Sequence, residues 1–412
     1  MTRSANYLDT PSPRETTPET HPTHGVHLSN ETIISIINSL IPGSHILAIN
    51  SLEHGKSFNN RIYFLKIHVP DDLLLHGLHN GAVNYLVLKL NGKFFDETNS
   101  KNEVSCLSLL EHFAPDVPSP RVLAWSDGDS SVLHRLTATG SLATKELEIS
   151  RPEDNGQLHG WILMTRLPGV PLSTLDLDTD ELKVVGEQLA DMVYRWRHSL
   201  PAWASAGNLQ CGLPHGKKQD SSSLEVAGLL ISPSPNMPGF GVKAVAPIVS
   251  PLQYYRVKLE ARLQKLQDLD VFTENRHLTP LFREFMDIQL PKLGISNAEN
   301  SRFFFTHYDL SPRNVLMSAD HTEITGIVDF EFSGFFPELD EFVNDSVANA
   351  GDWPDALYDA YLKATSLSRL EDNIAPWWLE NVAPGDKGQH SQDLQKSKEI
   401  VLEAIQLLGA GV

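Results

Sequence analysis

The run Phe304-Phe305-Thr306-His307-Tyr308-Asp309-Leu310-Ser311-Pro312-Arg313-Asn314, followed by Ile327-Val328-Asp329-Phe330-Glu331, decides how the rest of the chain is read. An apolar segment ends at a His, an Asp follows two residues later, an Asn five beyond it, and a second Asp fifteen further on. Oxygen-bearing side chains at that spacing supply one proton acceptor and two magnesium ligands. The chemistry that needs this set is phosphoryl transfer. Its transition state is loose and highly charged, so catalysis is mostly positioning plus neutralisation, with hard oxygen donors around Mg2+. In that scheme Asp309 orients or accepts the proton of the attacking hydroxyl, with His307 beside it in the catalytic set. Asn314 and Asp329 hold the metal that bridges the nucleotide phosphates.

Working outward, Val315-Leu316-Met317 and Ile324-Thr325-Gly326-Ile327-Val328 flank the polar Ser318-Ala319-Asp320-His321, which predicts a hairpin. Such a hairpin brings Asn314 and Asp329 to the same end of two paired strands. Taken singly, these residues read as ordinary turn residues around Pro312 and as a strand end. Jointly, in this order, they favour the functional reading.

On these residues the chain resembles the aminoglycoside phosphotransferase and choline kinase group of small-molecule kinases. The likeness is greatest to its fungal-type branch, with Thr306 to Asn314, then Val328-Asp329-Phe330-Glu331, then Phe336-Pro337-Glu338 as the matching segments. The resemblance is specific over about residues 303 to 342. It implies an α+β, protein-kinase-like fold of two lobes, an N-lobe of mixed antiparallel sheet and a mostly helical C-lobe. It also implies ATP-dependent phosphorylation of a hydroxyl on a small molecule, with ATP and Mg2+ as cofactors.

Such a fold needs a nucleotide-holding lobe, and residues 29–165 fit one. Ser51 to Asn60 lies between two apolar strands and would cover the phosphates. It holds one glycine, Gly55, where the protein kinase pattern has three, and an ordinary hairpin turn fits it equally. The resembling family is also glycine-poor here, which makes Ser57 and Asn59 the candidate phosphate contacts. Lys89 interrupts the apolar strand Tyr85 to Leu90, and Glu103 follows fourteen residues on. A strand Lys oriented by a helical Glu is the arrangement that holds nucleotide phosphates. Two rivals stand beside it. The Lys could snorkel to the surface, and Ser100-Lys101-Asn102-Glu103 fits a capping box that turns Glu103 back on its own helix start.

Trp161 to Thr165 reads as a buried strand broken by Pro168-Gly169, the connection between lobes. The resemblance puts Met164 and Thr165 beside the adenine. The C-lobe, residues 166–412, then predicts helices from Asp178, where Glu181 three residues on suits a capped helix start, over 252–266 and over 399–408, with an irregular insertion at about 202–250.

The formal net charge of −19 argues against nucleic acid and anionic lipid surfaces as partners. Between Asn314 and Leu362 there is no Lys or Arg, while Asp320, Glu323, Asp329, Glu331, Glu341 and Asp359 fall among eleven acids. Such a rim would favour a cationic hydroxyl substrate; a solvated acidic face accounts for it equally. No stretch reaches the roughly 18 apolar residues of a membrane span; the most apolar early one, Ile33 to Ile49, is interrupted by Asn38, Ser39, Pro42 and His45. Residues 1–28, rich in Thr, Pro, Ser and His, read as a disordered tail. Two cysteines make no disulfide framework, which places the chain in the cytoplasm.

Rival functions also remain. A protein kinase is disfavoured because Phe330-Glu331 stands where Phe-Gly would follow Asp329. A nucleotide-binding pseudokinase acting as an interaction module keeps the same polar residues without turnover. A metal hydrolase using His307, Asp309 and Asp329 leaves Lys89 unexplained.

Overall fold

A computed structural model describes residues 22–52, 57, 59–92, 97–128, 131–147, 160–211, 224–228, 247–268, 273, 276–277, 279–292, 302–337, 341 and 355–365. Gly55 with the centre of its loop, Glu338, and the helix expected over 399–408 lie outside the described residues. The chain divides into two compact units between Pro168 and Gly169.

The first unit is built on seven antiparallel strands in the order β1-β2-β3-β7-β4-β5-β6. These are β1 (His45–Ser51), β2 (Asn60–His68), β3 (Val83–Asn91), β4 (Val122–Ser126), β5 (Ser131–His134), β6 (Ala143–Glu146) and β7 (Trp161–Thr165). Because side chains alternate along a strand, β3 presents Leu86, Leu88 and Leu90 to one face, all buried. Against that face packs α1 (Asn30–Leu40), whose Ile33, Ile36, Ile37 and Leu40 recur at helical spacing. Ser29 starts the helix by accepting the Thr32 N–H at 3.1 Å. The apolar stretch from Ile33 to Ile49 is therefore a helix, a turn and a strand.

Of the stretch 1–28 read as a tail, the described residues 22–28 are held against the sheet. Val26 is fully buried, the Arg61 Nε donates to its carbonyl at 3.2 Å, and the Leu28 N–H donates to the Tyr63 hydroxyl at 2.9 Å. Each apolar side chain buried in this way contributes roughly 1.5–3 kcal/mol. On the other face of β3 points Lys89, toward α2 (Glu97–Phe113).

In the second unit α3 (Thr179–Ser199) opens with the expected capping box, Asp178 accepting from Asp180 and Glu181 while Glu181 receives the Asp178 N–H. Val185, Leu189, Val193 and Trp196 form its buried stripe. The helix α4 (Pro251–Asp268) covers the second predicted helix, and α5 (Thr279–Glu284) and α6 (Asp355–Thr365) add to it. Helix outweighs strand, but two small sheets carry the motif segments. One joins β8 (Val170–Pro171), β12 (Val315–Met317) and β13 (Ile324–Ile327). The other has the order β10-β9-β14-β11, from β9 (Gly207–Cys211), β10 (Leu224–Gly228), β11 (Phe304–Thr306) and β14 (Gly334–Phe336). The stretch 202–250, expected to be irregular, thus holds a hairpin, because Gly207 to Cys211 pairs with Leu224 to Gly228. Among the described residues no helix is long and apolar enough to cross a membrane.

Candidate active site

The hairpin read from the sequence forms: Val315 pairs with Ile327 and Leu316 with Gly326. Its turn is closed by the Ser318 N–H donating to the Glu323 carbonyl at 2.8 Å. At the open end the Val328 N–H donates to the Asn314 carbonyl at 2.9 Å, so Asn314 lies beside the residue that precedes Asp329. Gln188 of α3 grips the same hairpin, donating to the Thr322 carbonyl at 2.8 Å and accepting the Ile324 N–H at 2.9 Å.

Both motif loops adopt left-handed backbone at non-glycine residues, Tyr308 at φ 73° and Asp329 at φ 72°. Such conformations cost about 1–3 kcal/mol each and persist only where the surroundings dictate them. Here they do. His307 is fully buried; its N–H donates to the Glu341 carboxylate at 2.6 Å and its Nε2 to the Val328 carbonyl at 3.0 Å. Glu341 is itself buried and paired with Arg197 of α3 at 2.9 Å. The Ser333 hydroxyl donates to the His307 carbonyl at 3.0 Å.

The Asp309 carboxylate is held from two sides. Arg313 Nη2 donates to Oδ1 at 2.8 Å, and Asn314 Nδ2 donates to Oδ2 at 3.3 Å and to the Asp309 carbonyl at 2.8 Å. Burial pushes the Asp309 carboxyl up to about 7, Arg313 opposes this, and the charges of Asp329 and Glu331 add to it. Asp309 and Asp329 are therefore near enough to repel. Among the described residues no three His, Cys, Asp or Glu side chains gather into a metal cage. Asn314 and Asp329 nonetheless suit Mg2+, which binds through one or two protein oxygens and completes its octahedron with water and phosphate.

In the first unit Lys89 Nζ lies 2.7 Å from Glu103 Oε2, and both side chains are buried. The capping-box alternative fails because α2 begins at Glu97, which puts Ser100 to Glu103 inside the helix. Snorkelling fails with it. Ser57 sits outside the strands, half-buried, and the Asn59 carbonyl accepts the Gly92 N–H at 3.0 Å. Met164 pairs with Val87 on one side and Val122 on the other. Thr165 exchanges hydrogen bonds with Arg121, and the Arg166 N–H donates to the Tyr85 carbonyl at 2.9 Å. The sheet thus occupies the backbone N–H of Thr165 and of the residue after it.

Sequence reasoning passed over Arg197, Arg313 and Ser333, and the roles of Asn208 and Glu341. Glu331 and Glu341 were counted with an acidic surface, whereas both are buried. A carboxylate seated among Phe330, Phe332 and Phe336 in sequence was the available signal for Glu331.

The model of the phosphotransferase enzyme family, APH, matches residues 86–377. The chain belongs to this family and is a small-molecule kinase. It is similar to the crystal structure of aminoglycoside phosphotransferase APH(4)-Ia, with 13% identity, 91% of this chain and 98% of that one covered, and a TM-score of 0.50. A thermostable mutant of APH(4)-Ia in its apo form gives 13% identity, coverages of 92% and 99%, and a TM-score of 0.51. A thermostable mutant in ternary complex with AMP-PNP and hygromycin B gives 13%, 93% and 100%, and 0.51. At that identity the likeness shows the fold alone: the kinase-like α+β architecture that the motif predicts. No curated protein matches the chain.

Proposed function

We propose that this protein transfers the γ-phosphoryl group of ATP to a hydroxyl of a small molecule, with Asp309 as the base or orienting group. The observation that carries the reading is the Asp309 carboxylate held by Arg313 and Asn314 within electrostatic reach of Asp329. With its Nδ2 committed to Asp309, Asn314 offers its carboxamide oxygen to a cation, and Asp329 offers a carboxylate. Mg2+ bound there would supply charge neutralisation for the phosphates. Lys89, oriented by Glu103, would grip the triphosphate, with Ser57 and Asn59 as further phosphate contacts and the strand end at Met164 and Thr165 beside the base. His307 holds the loop: its ring donates to the Val328 carbonyl, which ties the Asp309 loop to the Asp329 loop.

The acceptor would be a small hydroxyl compound. A cationic one is favoured by the acid-rich composition of the Arg-free and Lys-free stretch that contains Asp329. The cytoplasm is the compartment that fits a chain with two cysteines, of which Cys106 is buried inside α2.

Magnesium-dependent ATP turnover, measured with a panel of amino sugars, amino alcohols and neutral sugars, tests the reading. Asp309→Asn should lower turnover by about 10²–10⁴-fold while the protein still binds ATP. ATP binding with no Asp309-dependent turnover would instead assign the interaction-module reading.

A further inference from the structure

We propose that Asn208 is a positioning residue for phosphoryl transfer: its carboxamide fixes the β9–β10 hairpin to the loop after Asp329 and, through Ser333, to the loop that carries Asp309. The inference rests on the reading of Asp309 and Asp329 given above.

The sheet order makes the connection necessary. From Asp329 the chain makes one 3-10 turn, Phe330–Phe332, and enters β14. On one side β14 pairs with β11, the strand that delivers His307 and Asp309, through Phe304↔Phe336, Phe305↔Phe335 and Thr306↔Gly334. On its other side it pairs with β9, through Gly334↔Asn208 and Phe335↔Gly207. A ladder of two pairs specifies register weakly, and a slip by one residue would turn every side chain to the other face. Gly334 permits the close approach: a Cβ there would lie 2.5 Å from the Gly207 carbonyl oxygen.

The Asn208 side chain supplies what the short ladder lacks. Its Nδ2 donates both hydrogens, to the Phe332 and Ser333 carbonyls, each at 2.9 Å. Ser333 passes the restraint on, its hydroxyl donating to the His307 carbonyl at 3.0 Å, and the His307 ring donates to the Val328 carbonyl at 3.0 Å. The path runs from the hairpin to the residues on either side of Asp329 and to the residue two before Asp309. Asn208, Ser333 and His307 are all buried, so water does not substitute for any of these donors. Upstream, Trp203 exchanges two backbone hydrogen bonds with Phe303, both at 2.9 Å, so the segment 203–208 is held at both ends. The insertion is thereby part of the scaffold of the site.

The test uses full-length protein, hydrogen exchange over residues 302–314 and 324–336, and the kinetics of Mg·ATP hydrolysis with water as acceptor. Asn208→Leu keeps the volume and removes both donors. It should raise exchange in both segments and lower kcat by about tenfold or more, with KM for ATP within about twofold, as expected of a displaced catalytic group. Asn208→Asp, which keeps the shape and at most one O–H donor, should fall between, and serves if the Leu variant does not fold. Leu189→Ala, a buried α3 residue with no side-chain hydrogen bond to lose, is the control for general loss of stability. Wild-type exchange over 302–314 in Asn208→Leu, or a kcat loss no larger than that of Leu189→Ala, would overturn the proposal. Should the wild-type protein fail to turn over ATP, the functional reading falls, and the exchange measurement still decides the clamp.

Discussion

The two units hold buried charge in different ways. In the first, Lys89 and Glu103 stand on a regular strand and a regular helix, and their 2.7 Å pair needs nothing unusual of the backbone. In the second, the buried Asp309 and the half-buried Asp329 sit in loops with left-handed residues, kept in shape by Glu341, Arg197, Ser333 and Asn208. Regular structure places a charge by periodicity alone. Loops place it only through hydrogen bonds that reach far along the chain, so the loops should be the less forgiving of the two.

That difference can be broken by exchanging each ion pair for hydrocarbon. Glu341→Gln and Glu103→Gln, each removing the carboxylate charge beside a buried cation, should both destabilise by about 3–5 kcal/mol in urea titrations. Replacing Lys89 and Glu103 together by Met and Leu should return stability to within about 1 kcal/mol of wild type. Replacing Arg197 and Glu341 together by the same residues should leave a deficit of about 1–3 kcal/mol, because the His307 N–H loses its acceptor. Equal recovery of the two double variants would erase the distinction.

A smaller effect sharpens it through pH. Because the folded Asp309 titrates at about 7, above its unfolded value, the fold prefers the protonated acid. Its contribution is fully present below about pH 4 and is lost as pH rises through about 7. In metal-free protein Asp309→Asn should therefore be more stable to urea than wild type at pH 8, by on the order of 2 kcal/mol, with the gap closing toward pH 4. A constant gap across that range would contradict the electrostatic account.

The smallest effect compares strain at the site with strain away from it. His321, at φ 63° in the exposed hairpin turn, is the third left-handed non-glycine residue among the described residues. His321→Gly should stabilise by about 0.5–1 kcal/mol without altering ATP turnover. Tyr308→Gly relieves similar strain but removes a ring packed 4.8 Å from Phe336, and should lower turnover.

What the sequence disclosed follows the same division. The β12–β13 hairpin, the α3 capping box and the Lys89–Glu103 pair were legible because each rests on local spacing or on an alternation with a known period. The restraints on the loops were not. Arg197 and Glu341 are 144 residues apart, and Asn208 and Ser333 are 125 apart, with no periodic pattern to connect them. Glu341 was hidden further by lying in an acidic run, where composition suggests a wet surface although burial is nearly complete. The helix α1 was visible only as an apolar stretch too interrupted for a membrane, because the face it covers is set by the alternation of β3, a separate segment of the chain.

Tyr63 has a practical bearing on how the protein is trimmed. Its phenol receives the Leu28 N–H at 2.9 Å and donates to the Leu28 carbonyl at 3.3 Å, while Arg61 reaches the Val26 carbonyl. An expression clone begun at Asn30, the first helical residue, would strip the phenol and the guanidinium of these acceptors and uncover the hydrocarbon beneath Val26. Clones begun at or before residue 22 keep that cover, and they are the ones to carry into crystallisation.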